Sequence, residues 1–403
     1  MLPVCGALGL LVYGCTSADP GSGSGGTGGT VGGQPKLGGS SGSAQTEGGE
    51  PGGAIGSSDS PPNSGDDRVP SGEVTGATLL AASSQDGTFH TCAVFLNGTV
   101  GCWGDNLYYQ LGRGPYVPPM TPLKTQDQGS STPVLLTSCG QRVTTAVSVS
   151  ANDYGGCMVL STDEARCFGT DYSGALGFNG SLGDGHAHPL SIASNTYTCV
   201  LFSDGTVECW GEMDISKPAT PTAVPGLTSA TAIAVGGRSC AVLSSGAVQC
   251  WDSYVNGPTT PKEVPSVSGA TAIAAGGQTC AVVTDGAVTC WPNSDMTATP
   301  VTGIFGATAV AVGDQHACAL LSDGSVQCWG KNDKGQLGDG TTNDSSTPVA
   351  VSNLEGATSI AAGYEYTCAI VADGKVKCWG SNSMGQLGDG STTDSPVPAS
   401  VIW

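Results

Sequence analysis

Seven pairs of cysteines, each pair ten positions apart, constrain this chain more than anything else in it. They are Cys92 and Cys102, Cys157 and Cys167, Cys199 and Cys209, Cys240 and Cys250, Cys280 and Cys290, Cys318 and Cys328, and Cys368 and Cys378. An aromatic residue follows the second cysteine each time, as in "SCAVLSSGAVQCW" and "ACALLSDGSVQCW". The spacing has a geometrical reason. In "CALLSDGSVQC", alternating apolar residues flank Ser322-Asp323-Gly324, which suits a three-residue hairpin loop with glycine in the left-handed position. That loop pairs Leu321 with Ser325, and counting outward sets Cys318 opposite Cys328. With a hydrogen-bonded closing pair, the cysteines fall at a non-hydrogen-bonded pair, with α-carbons about 4.5–5.5 Å apart. Such a separation lies within disulfide reach. Glycine recurs at the same loop position at 98, 205, 246, 286 and 374, and only the second copy departs, with Asp163. One disulfide within each hairpin is therefore expected, each stabilising by roughly 2.7 kcal/mol through the closed eleven-residue ring.

The copies recur at steps of 38 to 65 residues, mostly near 40, a blade-like period. Around each hairpin the rest of a blade can be read. "ATAIAVGG" before Cys240 gives an inner strand, and "PTTPKEV" after Trp251 a proline-bearing edge strand. Four strands, A to D, then form a meander. Seven such units predict an all-β, seven-bladed propeller of four-stranded antiparallel blades over residues 73–403. Neighbouring strand positions face opposite sides. The indole after each second cysteine thus lies opposite the disulfide and is expected to pack against the next blade. Phe168 replaces Trp in the second copy.

The remaining cysteines and the bulk charge speak to compartment. Seventeen cysteines are too many for a reducing cytosol, and zinc-type CxxC pairs are absent. Residues 2–15, "LPVCGALGLLVYGC", are apolar and too short to span a bilayer, so they read as an export signal. The ending "VYGC" resembles a bacterial lipobox, which implies cleavage before Cys15 and lipidation of its thiol. The lack of a basic n-region leads us to expect a start upstream of Met1. Residues 16–72 are rich in Gly, Ser, Thr and Pro and read as a disordered tether with a span of roughly 40 Å. Cys5 leaves with the signal and Cys139 is left odd. With 13 Lys and Arg against 33 Asp and Glu, the formal charge is -20. No basic patch offers to neutralise phosphate, so nucleic acid is excluded as a partner and the membrane is met only through the lipid. An exported, cell-envelope protein is expected.

Two copies carry a family resemblance. Residues 356–401, "GATSIAAGYEYTCAIVADGKVKCWGSNSMGQLGDGSTTDSPVPASV", and the preceding copy with "GQLGDGTTND" closely resemble the repeat of the regulator of chromosome condensation family. The resemblance implies a seven-bladed propeller, in agreement with the strand count. It implies conflicting functions: nucleotide exchange on a small GTPase, or, among exported bacterial members, protein inhibition through one propeller face. The third to fifth copies lack "GQLGDG", and "GSLGDGHAHPLSIAS" at the second-to-third junction is short enough to expect an irregular blade.

Catalytic and metal chemistry find little support. No P-loop, dinucleotide fingerprint or HExxH occurs, so no cofactor is expected. "DGHAHP" brings His186 and His188 near Asp184, a weak metal spacing that reads as a polar loop. "GQLGDG" lacks the ligand spacing and closing Glu of a calcium loop and reads as a turn. The alternatives to a binding protein are a polysaccharide-active enzyme, a carbohydrate-binding surface protein and, more remotely, an exchange factor. The leading expectation is a non-catalytic, monomeric propeller that binds a protein partner at the end carrying the A–B and C–D connections. Two residues before the first cysteine the copies carry His90, Gly155, Tyr197, Arg238, Gln278, His316 and Tyr366, and the first C–D connection adds Tyr108, Tyr109 and Tyr116. Positions that vary while the hairpin stays constant are free to serve recognition. Tyr and Arg are common binding hot spots.

Overall fold

The computed structural model describes residues 73–83, 89–111, 130–138, 141–170, 176, 178, 180–182, 187–211, 220–254 and 257–403. The chain divides into two units, Met1–Arg68 and Val69–Trp403, and every described residue belongs to the second. The signal, Cys15, the tether, Tyr116, Cys139, Asp184 and His186 lie outside the described residues.

Seven four-stranded antiparallel meanders form the unit. Blade 1 comprises strands A Ala77–Ala82, B His90–Phe95, C Val100–Gly104 and D Ser130–Leu135. Blade 2 comprises Ala146–Asn152, Gly155–Leu160, Glu164–Gly169 and Gly180–Ser181. Blade 3 runs through Pro189–Ser194, Thr198–Phe202, Val207–Trp210 and Thr222–Ala223. In blade 4 the strands are Ala230–Val235, Ser239–Leu243, Val248–Trp251 and Lys262–Glu263. Blade 5 has Ala270–Ala275, Gln278–Val283, Val288–Pro292 and Thr299–Pro300. Blade 6 has Ala307–Val312, His316–Leu321, Val326–Gly330 and Ser345–Ala350. Blade 7 closes with Ser359–Ala362, Tyr366–Val371, Lys375–Gly380 and Ser395–Ser400. The A strands of consecutive blades touch, and strand A of blade 7 touches strand A of blade 1, so the ring is closed.

The hairpin follows the expected register. Leu321 N–H donates to the Ser325 carbonyl at 2.9 Å, and Cys318 stands opposite Cys328. Gly324 takes φ +80°, and Asp163 fills the same left-handed place in blade 2 at φ +60°. In blade 7 Asp373 and Gly374 are both left-handed, and Val371 pairs with Lys375 as Leu321 does with Ser325. All seven disulfides form within their hairpins, with Cα–Cα distances of 4.0–4.1 Å. That is shorter than the expected separation, because the crosslink draws together a pair that no backbone hydrogen bond holds apart.

The core is not one mass but seven wedges between blades. Each wedge holds the disulfide of one blade and the aromatic residue of the blade after it. Cys318 and Cys328 of blade 6 pack with Trp379 of blade 7, and Cys368 and Cys378 of blade 7 with Trp103 of blade 1. Phe168 reaches back to blade 1 in the same way. The aromatic therefore covers the preceding blade, not the next one. The right-handed twist of each sheet presents the two faces of a strand to different neighbours, so the alternation seen in sequence is correct and only its direction differs.

Strand D comes in two lengths. Blades 1, 6 and 7 have six-residue D strands, whereas blades 2 to 5 have two residues each. The long ones follow the C–D loops that carry "QLG". The irregular second blade is thus one of four with a short edge.

Ring closure uses no shared strand. Val74 N–H donates to the Val401 carbonyl at 3.0 Å, Glu73 bridges Ile402, and Lys375 holds Glu73 at 2.9 Å. Deeper in, Trp103 Nε1–H donates to the Gln386 carbonyl at 2.9 Å, and the Tyr366 hydroxyl donates to the His90 carbonyl at 2.6 Å.

Candidate functional site

The A–B and C–D connections share one end of the ring, and there the position two before the first cysteine opens strand B or directly precedes it. In three blades this residue turns inward. His90, His316 and Tyr366 are 0%, 1% and 0% exposed, so these three side chains are not on a binding face. Each faces the next blade. His316 Nε2 lies 2.9 Å from the Thr367 hydroxyl, which donates to the Gln336 carbonyl at 3.0 Å. That hydroxyl's only proton is then spent, so Nε2–H is the donor of the first bond. Burial pushes both histidines down to about 4, opposed at His90 by a smaller pull from the Gly155 backbone. Burial pushes Tyr366 up to about 12. All three are neutral at physiological pH.

The other four candidates at this position differ. Gly155 is buried where no side chain fits, since a Cβ would meet the Phe168 carbonyl. Tyr197, Arg238 and Gln278 are half-buried at the rim. Arg238 Nε pairs with Asp252 at 3.1 Å, tying its A–B loop to the C–D connection of the same blade. On blade 1, Tyr109 sits at φ +62°, and the Tyr108 ring meets the Tyr154 ring edge-on at 5.1 Å. The Tyr108 carbonyl also accepts from the Thr170 hydroxyl at 2.8 Å. Tyr154 was not among the sequence candidates. Neither was the Phe89–Tyr364 pair, at 5.9 Å, where blade 7 meets blade 1. Both extra tyrosines stand in A–B loops, one or two places from the position the sequence singled out, so a wider window on the same loops would have found them. A polar recess of about 90 Å³ opens beside Tyr364, between Asp314, Lys331 and Glu365.

The acidic C–D loops are built around an asparagine. The Asn332 amide donates to Asp339 Oδ1 at 3.3 Å and to the Thr341 carbonyl at 3.1 Å, while its oxygen accepts Leu337 N–H at 2.9 Å. Asn382 repeats these bonds with Asp389, Ser391 and Leu387. The amide stands at the centre of the oxygen set, so the loop is a turn with its own internal partner. Gln336 in the same loop offers its backbone carbonyl to Trp379 Nε1 at 3.0 Å. "QLG" is thus a cap for the indole of the following blade. Blade 3 lacks it, and buried Trp251 Nε1 has no hydrogen bond. The exposed His188 pairs through Nδ1 with Asp163 at 2.8 Å. Among the described residues no cluster of three His, Cys, Asp or Glu could hold a metal.

A model of the regulator of chromosome condensation (RCC1) repeat matches residues 323–370, and a second model of this repeat matches 307–336 and 357–386. Residues 307–386 carry this repeat. Its matched stretches are the two blades with the full Asn-centred loop. Two structures of the yeast RCC1, Prp20, are similar: one bound to Kap60, with TM-score 0.60, 18% identity and 75% of this chain over 83% of that one. The other, from Saccharomyces cerevisiae and studied for binding to Gsp1p and histones, has TM-score 0.61, 17% identity, and 79% and 87% coverage. Human WBSCR16 gives TM-score 0.62, 18% identity, and 75% and 94% coverage. At such identities the likeness is one of fold. No curated protein sequence matches the chain.

Proposed function

We propose that this RCC1-repeat propeller is a non-catalytic, exported protein-binding module, held at the cell envelope by a lipid on Cys15 and a flexible tether. The observation that carries the binding reading is the contrast within the A–B/C–D end. Seven like hairpins and disulfides fix a rigid frame, while the rim of blades 1 to 5 presents side chains that differ from blade to blade. Tyr108 on Tyr154, Tyr197, Arg238 and Gln278 are the half-buried members of that rim. Rigid aromatic and guanidinium groups on a fixed scaffold bind at low entropic cost. The precedent of Prp20, a similar fold that binds Kap60, supports protein as the partner class. Seven buried disulfides support an oxidising compartment.

Crosslinking the native protein in its own envelope fraction, followed by affinity measurement on the purified partner, tests this. Replacing Tyr108, Tyr197 and Arg238 together by Ala should weaken binding at least 30-fold, about 2 kcal/mol, and leave the melting temperature nearly unchanged. Equal affinity of wild type and the folded triple variant would remove the rim from recognition.

A further inference from the structure

At the opposite end of the ring, with the B–C turns and D–A links, blades 1 to 3 depart from their own repeat. The first turn residue is Ser161, Ser203, Ser244, Thr284, Ser322 or Ala372 in six blades and Leu96 in blade 1. Threonine is the second residue of strand A in four blades, and in blade 7 the equivalent Thr358 directly precedes the strand. Each hydroxyl donates to a strand-B carbonyl, from Thr78 to Val94 at 3.1 Å through Thr358 to Ile370 at 3.3 Å. Blades 2 and 3 put Val147 and Leu190 there instead. All three departures replace a small side chain with an aliphatic one, two of them giving up a hydrogen bond, and all are exposed: Leu96 82%, Leu190 55% and Val147 41%. Folding does not explain them, because five blades hold the same backbone with Thr on strand A and six with Ser, Thr or Ala in the turn.

The departures fall on consecutive blades. Leu96 and Val147 line one groove of about 510 Å³ between blades 1 and 2, floored by Val94 and Phe95. Leu190 repeats the Val147 position one blade on. None of the eleven residues lining the groove is charged, in a protein of net charge -20. Two aspartates lie in the neighbouring turns. Asp373 adjoins on the blade 7 side, its carbonyl accepting Gly76 N–H at 3.3 Å beneath Leu96. Asp163 lies on the other side, in the turn of blade 2, with its carboxylate paired to His188.

We infer that this sector is a second docking surface, independent of the rim, and that it takes a protein segment with two or more aliphatic or aromatic side chains flanked by Lys or Arg. The neutral groove accepts the apolar side chains without desolvating a charge. The strongly negative field of the protein selects and steers basic flanks. The same field opposes a second copy of this chain as the occupant.

The probe is a phage-displayed library of random twelve-residue peptides, panned on the intact, disulfide-bonded protein. The control is the variant L96S/V147T/L190T, which restores at each place a residue that other blades carry. Enriched peptides should pair apolar residues with Lys or Arg, bind the wild type at least tenfold tighter than the control, and weaken as salt rises. Matching near-ultraviolet circular dichroism and melting temperature establish that the control is folded. The single variant L96S, confined to a surface turn, should lose part of the affinity by itself. Peptides that bind control and wild type equally, or an enriched set without basic residues, would overturn the inference. So would concentration-dependent dimerisation that the control abolishes, since the occupant would then be a second copy. Neither result bears on the rim, whose variants carry different residues at the opposite end.

Discussion

His90 and His316 each occupy a buried place that admits only the neutral ring. Their folded pKa values, about 4, lie below the ordinary value of 6.5. The unfolded chain therefore binds more protons below pH 6.5, and stability falls with falling pH. The contribution is fully present above pH 6.5 and lost as pH drops towards about 4, on the order of 3 kcal/mol per histidine. Guanidinium unfolding with disulfides intact should show this loss, and H316Q should flatten the curve by about 1.4 kcal/mol per pH unit in that window. An unchanged slope would mean that His316 is not held neutral. The exposed carboxylates Glu73, Asp323 and Asp344, held below the usual range by Lys375, Ser325 and Lys331, act in a lower window. The tryptophans give a second residue-scale comparison. W379F removes an indole bond to the Gln336 carbonyl, whereas W251F removes an N–H that has no partner. Both changes shrink the ring equally, so W379F should cost about 1 kcal/mol more in chemical unfolding. Equal losses would deny the capping role of the "QLG" carbonyl.

At the scale of the element, the hairpin was readable in full. Alternation fixed which residues face which side, and glycine marked the turn, so the cysteine register followed by counting. Non-reducing peptide mapping should recover seven links, each ten residues long. Links between different hairpins would break the register in every blade at once. The position two before the first cysteine was misread for a definite reason. In three copies its side chain is turned towards the next blade: His316 meets Thr367, Tyr366 meets Thr91, and His90 meets only the Gly155 backbone. A pairing that runs from one repeat to the next looks like free variation when each repeat is read alone. The aromatic was misassigned by one neighbour on similar grounds, since strand alternation gives sides and only the sheet twist says which blade lies on each. Leu96 and Val147 escaped notice because their departure from Ser and Thr is informative only once the strand ends are known to share a groove.

For the molecule as a whole, seven wedges of similar make-up replace a single centre, and nearest-neighbour packing of this kind spreads stability around the ring. Each wedge is crosslinked on one wall and filled by an aromatic from the other, so the frame tolerates large differences in its edges. Blades 2 to 5 keep the inner three strands while strand D shrinks to two residues. Both surfaces argued above are products of that tolerance, one at each end of the ring.

The junction at Glu73 and Ile402 has one more implication. Ile402 N–H donates to the Gly388 carbonyl just as Ser352 N–H donates to Gly338, and Val74 takes the buried place that Leu354 takes between blades 6 and 7. The opening therefore sits where any other D–A link would run, with about one residue needed to span it. Nothing in the packing marks blade 1 as first. A circular permutant, joined from Ile402 to Val74 and cut in the link at Asn353, would meet the same seven interfaces in the same cyclic order; the fold has a sequence of neighbours but no beginning.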